Sequence, residues 1–328
     1  EVVIHDPQSA QVVLTAKRVD LVLRLLPLLK KQIIGKRLLI EEPRLTLRRN
    51  ERGRWNILDG VNGQADTDQH TMALMARTFM VRQAKLVNGT ITVTDAARPD
   101  GVRSITLEHV EFDITIRPEQ GVADVHVAMS HQGTHGVSRV SLDGGIKQAE
   151  HPIALSSDDV GEPVPGLQFD GHIDATDIKV RDAADFLGPR PVSDHLQGAL
   201  NLRSAVRVMP GVAGYDMVLS DMSAHLNEIT LTGNGSLAGV LTPQPTFSVT
   251  FSSSLVTLPQ LLKTISPEWV HPQLPAVLAE RRIDGKVQVV KATLTGSTAT
   301  GPQLSATGEF HVQEGHALIG RDHVAATD

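Results

Sequence analysis

The residues with the widest chemical repertoire in this sequence are its 14 histidines, since imidazole serves both as a metal ligand and as a general base. His131 and His135 are four positions apart, with His126 nearby. On a helix that spacing would place two metal ligands on one face. Gly133, Gly136 and alternating valines surround them, so we predict a hairpin, where a four-residue spacing loses that meaning. We therefore expect surface histidines and no metal site.

Motifs that would indicate an enzyme are also missing from the sequence. There is no cysteine, which excludes thiol catalysis and Cys-ligated metals. No nucleophile elbow or Walker A motif occurs, and the glycine-rich run Gly233–Gly239 has the wrong spacing for a dinucleotide fingerprint. The carboxylates of Glu41 and Glu42 are adjacent, so a strand would direct them to opposite faces and prevent them from acting as a pair. We predict a protein without catalytic residues and without a cofactor.

The charge balance argues against a nucleic-acid partner. The net charge is -6, whereas a protein that binds a phosphate backbone needs a positive surface. The basic residues cluster locally, with Trp55 as the one aromatic residue that could stack on a base among them. Such a cluster is either a solvated cationic face or a contact for anionic headgroups. Its members are Lys30, Lys31, Lys36, Arg37, Arg44, Arg48, Arg49, Arg52 and Arg54.

Alternation of aliphatic and polar residues is the dominant pattern, and it is typical of strands with one buried face. In Gly89–Asp95, for example, Ile91 and Val93 point to one side and three threonines to the other. We predict that adjacent strands share this apolar side and form one continuous face. The predicted face contains Ile91, Val93, Ile105, Leu107, Phe112, Ile114, Ile116, Val125, Val127 and Met129, with Phe247, Val249 and Phe251 as partners across the chain.

The alternation slips by one residue at Glu108 and His109. A slip of one residue would reverse every later side chain unless a bulge absorbs it, so we predict a β-bulge near His109. Asn88-Gly89 predicts a tight hairpin turn, because both residues tolerate positive φ.

Helical patterns are few and short. One begins at Asp20, a plausible N-cap, and three others lie in the second half of the chain. A further segment, Asp66–Arg77, is ambiguous between a helix and a loop. The predicted helices are Asp20–Gln32, Asp182–Leu187, Leu258–Ile265 and Ala276–Arg282.

Together these patterns predict a mainly β protein with an elongated, curved, antiparallel sheet and a few short helices at its edges. We divide it into two segments, residues 1–150 and residues 151–328. The aliphatic face then has two interpretations. It forms the core of an ordinary sandwich, in which two such faces pack together, or it lines an open groove that holds flexible acyl chains.

Several segments resemble the AsmA family. The most specific is Arg48–Asn56, which is similar to that family's element of arginine, asparagine, a short spacer, glycine and tryptophan-asparagine. The resemblance is strong to about residue 145 and looser after that. Its other segments are Val2–Asp6, Ala16–Leu21, Leu25–Leu29, Ile40–Leu47, Leu86–Asp95, Pro259–Leu262 and Ile283–Val287.

The resemblance implies a repeating β-groove protein related to TamB and YhdP, from the envelope of a Gram-negative bacterium. It implies a periplasmic location, with an anchor in the inner membrane formed by an N-terminal helix that this sequence does not contain. It also implies binding of phospholipid or another acyl-chain lipid, and phospholipid transfer between the inner and outer membranes. The family has no catalytic residues to carry over.

Two other functions are weighed against lipid transfer. The first is a structural or assembly factor for outer-membrane proteins, with a groove filled by its own side chains. The second is an enzyme on a β-helix or sandwich, such as a polysaccharide hydrolase. A hydrolase of that kind would need clustered carboxylates and exposed aromatic residues for sugar stacking, and one Tyr and two Trp disfavour it.

Overall fold

The fold is mainly β, as the alternating sequence predicts. The computed structural model describes residues 1–5, 12–24, 33–51, 56, 79–97, 101–149, 166–187, 197–211, 214–240, 245–264, 266, 273–297, 303–319 and 322–325. Strands make up 76% of the structure, far above the 20–25% typical of globular proteins. They form mixed β-sheet, and the described residues also contain three short helices. The predicted fold class is therefore confirmed.

The strands and helices are numbered in chain order. The strands of the first half are β1 (Val2–His5), β2 (Val12–Ala16), β3 (Arg18–Leu23), β4 (Ile33–Glu41), β5 (Arg44–Arg49), β6 (Phe79–Asp95), β7 (Arg103–Arg117), β8 (Val122–Gly133) and β9 (Gly136–Gln148). Those of the second half are β10 (Leu167–Lys179), β11 (Ala199–Gly211), β12 (Gly214–Leu226), β13 (Ile229–Val240), β14 (Thr246–Ser253), β15 (Val256–Thr257), β16 (Asp284–Ser297), β17 (Gln303–Ile319) and β18 (Asp322–Ala325). The helices are α1 (Val180–Leu187), α2 (Leu258–Thr264) and α3 (Leu274–Arg281).

The chain divides into two compact units. The first contains Glu1–Gln132 and Arg139–Gly171, and the second contains Gly133–Ser138 and His172–Asp328. The segment boundary that we draw from the sequence, between residues 150 and 151, falls outside the described residues and stays a prediction.

In the first unit, β6 is the strand around which the pairing is organised. The first part of β6 pairs with β4 and the last part with β5, and both pairings are parallel. The other described pairings in this unit are antiparallel, namely β1–β2, β2–β5, β3–β4, β6–β7 and β7–β8. A parallel pair requires a long crossover connection, and residues 50–78 provide it between β5 and β6. The predicted antiparallel sheet is thus present, with two parallel pairings that local patterns do not reveal.

The second unit is an antiparallel meander. β11, β12, β13, β14, β16 and β17 pair in succession, with β15 against the start of β16 and β18 against the end of β17. Its helices lie where the sequence predicts them, at α1, α2 and α3. Antiparallel neighbours need no crossover: β11, β12 and β13 follow one another through short hairpins, and residues 254–283 connect β14 to β16.

Helix α2 shows how a short helix is fixed at an edge of this unit. Thr257 and Gln260 form a capping box, in which the Gln260 Oε1 atom accepts the Thr257 N–H at 2.8 Å. At the other end, Thr264 is buried and its hydroxyl accepts a hydrogen bond from the Asn227 side chain at 2.9 Å. Asn227 occupies the turn between β12 and β13, so the helix is attached to the end of that hairpin.

Two local predictions are wrong. The predicted helix Asp20–Gln32 is a strand where it is described, since β3 continues to Leu23 and pairs with β4; residues 25–32 lie outside the described residues. The predicted hairpin at Asn88-Gly89 is absent as well, because β6 runs through both residues. In each case pairing with a distant strand outweighs a local preference. The ambiguous segment Asp66–Arg77 lies outside the described residues.

Candidate functional site

The candidate site in the first unit is the aliphatic face of β4 to β8. Residues directly opposite each other in neighbouring strands share a face of the sheet. Ile91 lies opposite Leu107, and Val93 lies opposite Ile105. Farther along β7, Ile114 lies opposite Val125. The predicted members from β6, β7 and β8 therefore share one face, which we call the aliphatic face: Ile91, Val93, Ile105, Leu107, Phe112, Ile114, Ile116, Val125, Val127 and Met129.

A bulge at His109 keeps this face continuous, as the slipped alternation predicts. His109 has a φ of 49°, and the register of β7 against β8 shifts between Glu108 and Glu111. Asn88 on β6 has a φ of 54°, and its Oδ1 atom lies 3.1 Å from the His109 Nδ1 atom. Asn88 and His109, both with positive φ, thus form a bulge that involves two adjacent strands. As a result, the side chains of Leu107 and Phe112 point to the same face of the sheet. The positive-φ tolerance of Asn88, which suggests a turn in the sequence, is used here for a bulge.

The aliphatic face extends beyond the predicted residues. Through the parallel pairing with β4, Ile40 stands beside Leu86 and Leu38 beside Ala84. Through β5, Leu45 stands beside Ile91 and Leu47 beside Val93. The strand alternation of β4 and β5 was available in the sequence, but their registers against β6 were not. The added members are Leu38, Ile40, Leu45, Leu47, Ala84 and Leu86.

The side chains of the face are mostly half-buried. In a closed sandwich, a second sheet packs about 10 Å away and inward side chains become fully buried. Of the thirteen residues predicted for both units, twelve are half-buried, and Val125 is buried at 8% exposure. Within the described residues, this level of burial matches an apolar face that a second layer does not seal.

The three predicted residues Phe247, Val249 and Phe251 form a separate face in the second unit. Phe251 lies opposite Gly233 on one side and Ala292 on the other, while Phe247 lies opposite Gly296. The small residues opposite each phenylalanine leave room for its ring. Val249 lies opposite Leu294 and continues an aliphatic row within this unit.

The opposite side of the sheet carries hydroxyl and charged groups in both units. In the first unit, the hydroxyls of Thr94 and Ser104 are 3.3 Å apart. In the second, the Thr232 and Ser252 hydroxyls are 3.0 Å apart, and those of Thr250 and Thr293 are 3.1 Å apart. The sheet is therefore two-sided, with one apolar and one polar face in each unit.

A row of charged residues ends the aliphatic face at the last positions of β5 and β6. Arg49 stands beside Asp95, and Asp95 stands directly opposite Arg103. The Arg49 Nη1 atom lies 3.6 Å from the Asp95 Oδ2 atom. Asp95 and Arg103 are buried, at 8% and 6% exposure. We call these three residues the charged row. Arg103 is not part of the basic cluster predicted from the sequence, because it lies far from the other basic residues along the chain.

The rest of the basic cluster is dispersed. Arg44 and Arg48 stand beside Thr90 and Thr94, on the polar face. Arg37 lies with Lys85, Glu41 and Glu42 around a shallow cavity of about 340 Å³ on that same face. The prediction that Glu41 and Glu42 point to opposite faces is therefore wrong, because Glu42 has a φ of 47° and interrupts the strand alternation. Here a hydrogen bond from Lys17 to Glu42, together with the charge of Glu42, raises the pKa of Lys17. Lys30, Lys31, Arg52, Arg54 and Trp55 lie outside the described residues.

Asn56, the last residue of the segment Arg48–Asn56, forms hydrogen bonds with strand β5. Its Oδ1 atom accepts the N–H of Arg48 at 3.0 Å, and its Nδ2 atom donates to the carbonyl of Thr46 at 2.9 Å. The side-chain amide thus pairs with β5 as a neighbouring strand would. It provides hydrogen-bond partners for backbone groups of Thr46 and Arg48 at the edge of that strand.

Three of the described histidines, His126, His131 and His135, bind protein groups. The His126 Nδ1 atom lies 2.5 Å from Asp143 and the His131 Nδ1 atom lies 2.8 Å from the Thr106 carbonyl oxygen. His135, at the tip of the β8–β9 hairpin, contacts the buried carboxylate of Asp182 on α1 at 2.6 Å. Within the described part of the chain, no group of three potential ligands is placed to hold a metal ion.

No family model, curated protein or solved structure matches this chain. The resemblance to the AsmA family accordingly stays a prediction. Among the described helices, none has the length and apolar character to cross a membrane.

Proposed function

We propose that this protein binds the acyl chains of phospholipid on its aliphatic face. The observation that carries the proposal is the half-buried state of a face that includes five strands, from Ile40 on β4 to Val127 on β8. Apolar surface of this extent is uncommon on a soluble protein without a ligand or partner. Acyl chains suit it because they need continuous apolar contact and no hydrogen-bond geometry.

The energetics of acyl burial support a lipid over a small polar ligand. Each methylene removed from water contributes about 0.8 kcal/mol. A face of β-branched and leucine side chains offers many such contacts and few hydrogen-bonding groups. The polar face, in contrast, keeps the other side of the sheet hydrated.

The biological role follows from the family resemblance and belongs to the same proposal. The protein acts without catalysis, in the periplasm of a Gram-negative bacterium. It is part of an inner-membrane-anchored AsmA-like protein that transfers phospholipid between the inner and outer membranes.

Native mass spectrometry of the purified chain, combined with a vesicle assay, tests this function. We expect co-purified phospholipid, and protein-dependent transfer of a fluorescent phospholipid from donor to acceptor vesicles. Val93→Asp should reduce both signals, whereas Thr92→Asp, the neighbouring residue on the polar face, should leave them near the wild-type level. Protein that is free of lipid and inactive in transfer would support the structural or assembly role instead.

A further inference from the structure

The charged row at the end of the aliphatic face points to a polar headgroup site, and this inference rests on the proposed lipid binding. We propose that Arg49, supported by Asp95 and Arg103, binds the phosphodiester of the bound lipid and thereby sets its orientation. The protein would then discriminate phospholipids from neutral lipids that have the same acyl chains.

The position of the row is the first argument. Arg49, Asp95 and Arg103 occupy one level across three adjacent strands, and the next level inward is Leu47, Val93 and Ile105. Residues two apart on a strand are roughly 6.6 Å apart along it. A lipid whose acyl chains contact the aliphatic residues thus has its polar end within reach of the row.

The length of the face is the second argument. One bilayer leaflet is roughly 15 Å deep, which corresponds to four or five residues of strand. Strand β7 continues from Arg103 through Ile105 and Leu107 to Ile116, well beyond that length. A lipid held at the charged row by its phosphate would therefore find apolar surface along its whole chain.

The chemistry of the row is the third argument. Two guanidinium groups and one carboxylate lie at this level of the sheet. Guanidinium also matches the geometry of a phosphate, which accepts two parallel N–H bonds from it.

The difference in exposure assigns separate roles within the row. The Arg49 side chain is 20% exposed, whereas Arg103 and Asp95 are buried. Arg49 is therefore the residue that reaches a ligand. Asp95 positions it through the 3.6 Å contact, and its carboxylate is itself fixed by the N–H of Ala97 at 3.0 Å.

Binding of two lipids with identical chains tests the proposal. Dioleoylphosphatidylglycerol carries a phosphodiester, and dioleoylglycerol does not. We expect the wild-type protein to bind the phospholipid about tenfold more tightly, the lower range for a hydrogen bond to a charged group. Arg49→Gln should remove that preference without weakening dioleoylglycerol binding. Arg48→Gln is the matched control, because Arg48 is adjacent in sequence and lies on the polar face.

The possible results separate this inference from the proposed function. Failure of the wild-type protein to bind either lipid would refute both. Equal affinity for the two lipids, or equal effects of Arg49→Gln and Arg48→Gln, would overturn the headgroup site while leaving lipid binding intact. Competition by glycerol 3-phosphate as strong as by the intact phospholipid would show a site for free phosphate and overturn the orientation role. Arg49→Lys retains the charge without the planar fork, and should keep an intermediate preference; it replaces Arg49→Gln if that variant fails to fold.

Discussion

Replacing Ile114 with aspartate separates an open aliphatic face from a closed core. Ile114 lies in the last third of β7, between Ala84 on β6 and Val125 on β8, and is half-buried. Full burial of an isoleucine side chain contributes about 1.5–3 kcal/mol, so a half-buried one loses about 1 kcal/mol of apolar contact. On an open face the new carboxylate still reaches water. We therefore expect Ile114→Asp to lower the free energy of unfolding by about 1–2 kcal/mol.

In a closed core, the same substitution would lower the free energy of unfolding by a larger amount. An unpaired charge buried between two sheets costs about 3–5 kcal/mol, a large part of the stability of a typical domain. Acyl-chain binding discriminates further, because a carboxylate on the face repels apolar chains. We expect the affinity for a fluorescent phospholipid to fall at least about tenfold, equivalent to 1.4 kcal/mol.

Urea unfolding and fluorescent phospholipid binding, measured on the same preparation, provide the assay. Thr115→Asp adds the same charge at the next residue, on the exposed polar face and opposite Asp124, so it should leave phospholipid binding unchanged and cost at most about 1 kcal/mol of stability. Val125→Asp introduces the charge at a buried position and should destabilise the protein more than Ile114→Asp does. Unfolding of the Ile114→Asp variant would refute the open face. Unchanged binding with unchanged stability would show that Ile114 lines neither a binding face nor a core.

Three further substitutions test the fold. Gly233→Ala should destabilise the protein by about 1–3 kcal/mol, because the added Cβ would collide with the carbonyl oxygen of Thr250. Gly235→Ala should be tolerated, because its Cβ would meet Val249 at 3.5 Å. Equal melting temperatures of the two variants would contradict this prediction. Asn56→Ala should cost about 1–2 kcal/mol in urea unfolding through two lost hydrogen bonds to β5, and no change would show that the edge needs no such partner. Asp182→Ala should cost about 1–3 kcal/mol, because it leaves the N–H of His135 without its buried acceptor; a neutral effect on thermal stability would argue against that anchor.

The apolar face could be predicted from the sequence because its pattern is local. Ile91 and Val93 alternate with threonines, and the slip at His109 contains the information that a bulge must restore the phase. Because all apolar side chains of a strand must point to the same side of the sheet, Phe112 and Ile114 are predicted to share a face with Leu107.

The pairing of β4 and β5 with β6 could not be predicted in this way. Both are parallel, and their register depends on a crossover of residues 50–78 with no local signal. Without this register, the sequence does not indicate which arginine points to the aliphatic face. In the structure Arg48 pairs with Thr94 on the polar face, and Arg49 pairs with Asp95 on the aliphatic face.

The wrong local predictions have a related cause. Asp20 is a good N-cap and its segment is amphipathic, yet Val19 and Leu21 pair with Ile40 and Leu38 on β4. Partners that are distant in sequence thus decide the conformation of residues whose own preference is ambiguous.

Photo-crosslinking with a phospholipid that carries a diazirine in its acyl chain would show where acyl chains contact the sheet. Peptide mass spectrometry of the irradiated complex would locate the labelled residues on β6 and β7. We expect labels that alternate along the strands, on Ile91, Val93, Ile105 and Leu107, with Thr92, Thr94 and Thr106 unlabelled. Labels on the threonines, or a distribution with no period of two, would contradict binding of acyl chains on the aliphatic face.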